Sequence, residues 1–180
     1  MDNISEQLVK IRKTTKDTIF TVGIWALAFL LVYCLVSVGL NLPNLFAFAI
    51  LFALGVIYGA FKLTKLLDIE YEYIVVNRDM DIDKITAKSS RKRIVSVKLT
   101  EVQEFGLLTE SKIKAFEHKN FDERFLCCNA NDEIYYMIYK HPKKGLVLIM
   151  LAMNERTKTE ALKSITKIAQ IRWFKGINYL

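Results

Sequence analysis

The sequence predicts a membrane protein: an N-terminal α-helical transmembrane hairpin followed by a soluble α+β domain of about seven antiparallel strands and one C-terminal helix. Three observations carry this. Thr18–Phe61 is 44 consecutive residues without Asp, Glu, Lys, Arg or His. As helix it would measure roughly 66 Å, about two crossings of a hydrocarbon core. From Ile69 onward, short runs rich in β-branched and aromatic residues alternate with polar turns, the pattern of strands. One amphipathic helical stripe then follows Asn154. The chain divides accordingly into an N-terminal segment (1–17), a hairpin (18–63) and a β-rich domain (64–180).

Ile4, Leu8 and Ile11 recur at helical spacing, which predicts either a short amphipathic helix over residues 3–16 or a frayed, solvated terminus that carries topology charges. The first span covers Ile19–Val38 and the second Leu45–Leu63. Between them Asn41-Leu42-Pro43-Asn44 carries a residue that cannot continue a helix and two that favour turns. The apolar run is longer than the core of a cleaved signal peptide and is followed at once by a second. Both spans therefore read as anchors.

Flanking charge gives the hairpin a direction. Lys10, Arg12, Lys13 and Lys16 precede the first span, Lys62 and Lys65 follow the second, and the connecting turn has neither Lys nor Arg. The positive-inside rule then places both termini in the cytoplasm of a multi-pass cell-membrane protein. Gly55 and Gly59 form a small-residue pair on the second span, predicted to pack closely against the first span, with a homo-oligomer as the other use of that face. The run Thr18–Phe61 holds no ionisable Asp, Glu, Lys, Arg or His, which argues against ion- or proton-coupled transport. No Gly, Pro or Ser separates Phe61 from Leu67, so the soluble domain follows the membrane without a flexible linker.

Strands are predicted at Glu70–Val76, Ile82–Lys88, Ile94–Leu99, Val102–Leu108, Phe125–Ala130, Ile134–Lys140 and Leu146–Met153. Thr109–Arg124 is charged and without a clear period, and reads as a long loop. Asn154 is a good N-cap for a helix over Glu155–Ile171, whose stripe is Ala161, Leu162, Ile165, Ile168, Ala169 and Trp173. The tail Arg172–Leu180 is apolar enough to pack on the domain or meet the membrane interface.

This order of seven strands and a closing helix resembles a pleckstrin-homology-like (PH-like) barrel. The aromatic lead of Tyr71 and Tyr73, the pair Ile82-Asp83 and the basic loop entering Ile94-Val95-Ser96-Val97 are similar to bacterial membrane-tethered PH-like domains. The whole chain resembles a family of small bacterial proteins with two transmembrane helices and such a domain. That resemblance implies two packed sheets of four and three strands and a role in interaction or assembly. The first hairpin of the domain departs from phosphoinositide-binding relatives, because it carries Asp79, Asp81 and Asp83 with only Arg78 and Lys84 nearby.

Constellations for catalysis are scarce. His118 and His141 have no metal-ligand spacing, and no glycine-rich phosphate loop or nucleophile elbow occurs. Cys34, Cys127 and Cys128 make no disulfide framework and no C-x-x-C pair, in keeping with a reducing compartment. As neighbours on a strand, Cys127 and Cys128 are expected to point one into the core and one out. No cofactor is expected. Three basic clusters are candidates for binding anionic lipid or a protein partner: Arg91, Lys92 and Arg93; Lys112 and Lys114, with Lys119; and Lys140, Lys143 and Lys144. Aromatics do not interleave with these loops in the manner of nucleic-acid binders. The reading is a non-enzymatic membrane protein whose barrel is an interaction or scaffolding module. Its alternatives are a membrane-bound enzyme with a thiol centre and a sensor of anionic lipids.

Overall fold

The computed structural model describes residues 4–165. They form two compact units: a helical one from Arg12–Ile69 with Thr86–Ser90, and a β-rich one from the remainder.

In the helical unit, α1 (Thr15–Asn41) and α2 (Phe46–Lys65) are joined by a single 3₁₀ turn, Pro43–Leu45. Asp17 accepts a hydrogen bond from the Thr14 backbone at 2.8 Å and so satisfies one free N–H at the start of α1. Both helices are long and apolar enough to cross a membrane. Most of their large side chains face outward, among them Phe20, Phe29, Leu51 and Phe52. Thr21 and Thr64 return their hydroxyls to the Asp17 and Ala60 carbonyls at 2.8 Å each, so neither is left unbonded in an apolar setting. Small residues form the contact between the helices: Ala28 and Gly39 on α1, Ala49, Ala53 and Ala60 on α2. At Gly39 an added Cβ would lie 2.8 Å from that of Ala49. Gly55 and Gly59 do not pack on α1 as the sequence suggests, for a Cβ at either would meet nothing within 4 Å. Lys13 and Asp68, in the short segments flanking the hairpin, form a 2.9 Å ion pair.

The β-rich unit has two four-stranded sheets. The first is ordered β1 (Ile4–Lys10), β2 (Ile69–Val76), β3 (Asp79–Thr86) and β4 (Ser90–Lys98). The second is ordered β5 (Val102–Leu107), β7 (Tyr135–His141), β8 (Gly145–Leu151) and β6 (Glu123–Leu126). Alternate residues of both sheets, including Tyr73, Val75, Met80, Ile82, Val97, Met137, Val147 and Ile149, meet in one core. The helix α4 (Glu155–Ser164) lays Ala161 on that core, followed by Ile165. Asn154 caps α4 by accepting from the Thr157 backbone at 2.7 Å.

Four expectations are corrected. There are eight strands rather than seven, because residues 4–10 pair antiparallel with β2 instead of forming a helix. Ile4 and Leu8 are four apart, a spacing that puts them on one face of a helix or of a strand, and pairing with β2 decides between the two. Residues 4–10 are thus part of the barrel, and the hairpin is an insertion between adjacent strands. Second, the region read as a loop contains α3 (Glu110–Glu117), too short to show a period and anchored by Phe116 on Tyr136, Ile138 and Leu148. Third, β6 runs parallel to β8, so the barrel is not wholly antiparallel. Fourth, Cys127 and Cys128 follow β6 rather than lying in it, and both are buried. Ile168, Ala169, Trp173 and the tail Arg172–Leu180 lie outside the described residues.

Candidate interaction surfaces

The three predicted basic clusters fare differently. On the outer face of the first sheet, Arg91 reaches across to Glu72 of β2 at 2.7 Å, and Arg93 meets Asp81 and Asp83 of β3 at 2.7 and 2.9 Å. Glu72 and Asp83 are almost fully buried while both arginines are about half exposed. Burial raises the Glu72 carboxyl above its ordinary value, a hydrogen bond with Glu6 adds to this, and Arg91 pulls the other way. Two guanidinium groups here meet the carboxyls of Glu72, Asp81 and Asp83, and Glu6 is hydrogen-bonded to Glu72. Arg91 and Arg93 are therefore struts of the sheet rather than free anion binders, and of this cluster only Lys92 has no ion pair among the described residues.

The second sheet carries the other clusters on its outer face, where α3 packs. Lys112 of α3 donates to Glu104 of β5, and Tyr136 donates to the same carboxylate at 2.7 Å. Burial would raise Glu104, but these two hydrogen bonds with the Lys112 and Lys119 charges prevail and hold it below the usual carboxylate range. Lys144 pairs with Glu123 at 2.8 Å and lies over the Phe125 ring. Lys114, Lys140 and Lys143 are exposed and have no ion pair among the described residues.

These positions converge more than their spacing suggests. The Phe121 ring packs edge-on to Phe116 and has both Lys119 and Arg124 at 5.4 Å. Arg124 also donates to the Phe116 and Lys119 carbonyls. Asp122 fixes the neighbouring turn by bonding the Leu146 backbone, and Leu146 stands opposite Lys140. Lys119, Arg124 and Lys140 thus border one half-buried apolar patch of Phe121 and Leu146. Arg124 and Phe121 were not singled out in the sequence, although an aromatic flanked by two cations within six residues is a readable signal.

The Cys127 and Cys128 thiols are buried and poorly placed to act as nucleophiles. Burial pushes Cys127 up to about 12 and Cys128 up to about 11, with the neighbouring Cys128 and Asp132 charges adding respectively; activated cysteines shift the other way. Tyr73 donates to the Cys127 carbonyl, which holds this segment to β2. His118 is exposed at the end of α3, and His141 spends Nδ1 on the Lys143 and Lys144 backbone N–H groups at 3.1 and 3.2 Å. No metal-binding group of three or more ligands occurs among the described residues.

Two four-stranded sheets around one core, a closing helix and an apolar helical hairpin inserted between the first two strands define a PH-like barrel joined to a pair of apolar helices. The chain belongs to the bacterial PH-like domain family (DUF6106), whose model matches residues 1–170. No curated protein and no solved structure matches it.

Proposed function

We propose that this is a non-enzymatic integral membrane protein whose PH-like barrel works in the cytoplasm as an interaction or scaffolding module at the membrane surface. The observation that carries the reading is the insertion of the hairpin between two paired strands. The pairing of Lys10 with Glu70 supports it, since a hairpin that crosses the bilayer twice would leave and re-enter the barrel on one side. The cationic flanks and uncharged turn of the hairpin make that side the cytoplasm. Only Ile11–Thr14 and Leu66–Asp68 separate helices from strands, so the barrel is tethered at two short points.

Cysteines introduced one at a time at Asn44, Glu6 and Lys143, in a background lacking Cys34, test this in intact cells. An impermeant maleimide is expected to label Asn44→Cys from outside, and the other two only after permeabilisation. Labelling of Glu6→Cys or Lys143→Cys from outside would sink the reading.

A second reading is favoured by the Phe121 patch: contact with anionic lipid through Lys119, Arg124, Lys140 and Lys143. Each such cation near an anionic surface contributes about 1 kcal/mol. Replacing Lys119, Lys140 and Lys143 by Gln should then abolish salt-sensitive binding of vesicles containing phosphatidylserine; unchanged binding would remove the lipid reading. Nucleic acid is not a proposed partner.

A further inference from the structure

Every sheet edge invites a further strand unless something discourages it. β4 carries Arg91, Lys92, Arg93 and Lys98, β5 is interrupted between Val102 and Glu104, and β6 has four residues. Charge, irregularity and shortness each protect an edge. β1 is the remaining edge, and its seven residues include only Glu6 and the terminal Lys10 as charges.

The even-numbered residues of β1 turn their main-chain groups away from β2. The Ile4 carbonyl accepts from Arg156 at 3.3 Å and the Lys10 carbonyl from Asn129 Nδ2 at 3.2 Å. These bonds occupy the two ends of the edge. Between them the outward main-chain groups of Glu6 and Leu8 have no protein partner among the described residues. Alongside lies a groove of about 360 Å³, with Leu8, Val9, Ala152 and Met153 as its apolar lining and Asp132 and Glu133 as its charges. Gln7 holds this groove open at one side, donating to the Ala152 carbonyl at 2.8 Å and accepting from the Asn154 backbone at 2.9 Å. Asp132 is fixed by Asn129, whose side chain donates to it at 2.9 Å.

We propose that the β1 edge takes an extended polypeptide segment bearing Lys or Arg, added as a strand beside Glu6 and Leu8 with a basic side chain over Asp132 and Glu133. Main-chain bonds supply affinity in this mode, and the groove supplies selection. The inference rests on the reading of the barrel as an interaction module and names the chemistry of its partner.

The test uses the full chain in nanodiscs and a fluorescent probe peptide, Thr-Lys-Val-Lys-Val-Lys-Thr. Saturable binding is expected, weakened about tenfold or more by N-methylation of alternate residues, by Lys-to-Glu replacement in the peptide, or by Glu133→Lys in the protein. Bound peptide should also slow amide exchange at Glu6 and Leu8. Absence of binding, or equal binding of the N-methylated peptide, overturns strand addition. Equal binding of the acidic peptide or by E133K overturns the basic specificity on which the proposal is built. Membrane retention and maleimide sidedness, measured on the same protein, report separately on the anchored-module reading.

Discussion

Lys10 and Glu70 face each other at one end of the β1–β2 pair, with both apolar helices between them in the chain. Residues 4–10 are therefore a structural strand of the barrel. Its inward residues are tied to the other end of the fold: Ser5 shares a 3.0 Å hydrogen bond with Thr157 of α4, and Val9 joins the core.

The first prediction follows from that pairing. Replacing residues 11–69 by a four-residue Gly- and Asn-containing turn should give a folded, water-soluble barrel, since hairpin turns of this kind connect adjacent antiparallel strands. Dispersed amide resonances for Ile4–Lys10 would agree. Random-coil shifts there would show that β1 pairs with β2 only when the helices are present.

Arg91→Met should destabilise the full chain by about 2–4 kcal/mol at neutral pH, because it leaves the buried Glu72 carboxylate without its counter-charge. The folded-state carboxyl is already raised above its ordinary value of 4.5. A raised carboxyl lowers stability once pH climbs past the unfolded value, and the missing arginine enlarges that loss. The gap between variant and parent in thermal unfolding should therefore narrow as pH falls through the raised folded-state values and be largely closed by about 4.5. A gap that is constant with pH would mean Arg91 acts through packing alone.

Gly145 has φ of +72°, and an added Cβ would collide with the Asp122 carboxylate that bonds the Leu146 backbone. Gly145→Ala should cost about 2 kcal/mol or more, part of it from the left-handed backbone. Gly145→Asn tolerates that backbone but keeps the collision, so it should recover little. Substantial recovery in unfolding experiments would assign the whole cost to strain.

Buried thiols with raised values should alkylate slowly. At pH 7.5, Cys127 and Cys128 are expected to react about a hundredfold more slowly in the folded chain than after denaturation. Fast labelling of either would revive a thiol-centred enzyme.

Much of this fold could be read from the residues because each element carries its own pattern. The uncharged run marks the hairpin, and alternation at Tyr71, Tyr73 and Val75 marks β2. β1 was hidden because Ile4 and Leu8 satisfy two periods at once, and α3 because Phe116 is the one buried residue in two turns. Charges were visible in the candidate site, but their partners were not. Nothing near Arg91 in sequence announces Glu72, and only the side-by-side placement of β2, β3 and β4 turns an apparent cationic loop into an ion-paired sheet face. Lys119, Phe121 and Arg124 lie in one short stretch and could be read together, but that Lys140 stands beside them follows only from its pairing with Leu146 in the β7–β8 hairpin.

The insertion of the hairpin into the barrel is tested most directly by a disulfide across its base. In a chain lacking native cysteines, Lys10→Cys and Glu70→Cys are combined with a protease site in the Asn41–Asn44 turn. Antiparallel partners place their Cα atoms within disulfide range. Mild oxidation followed by cleavage should leave the two fragments joined on a non-reducing gel and separate them on reduction. Fragments that separate without reductant would contradict the account.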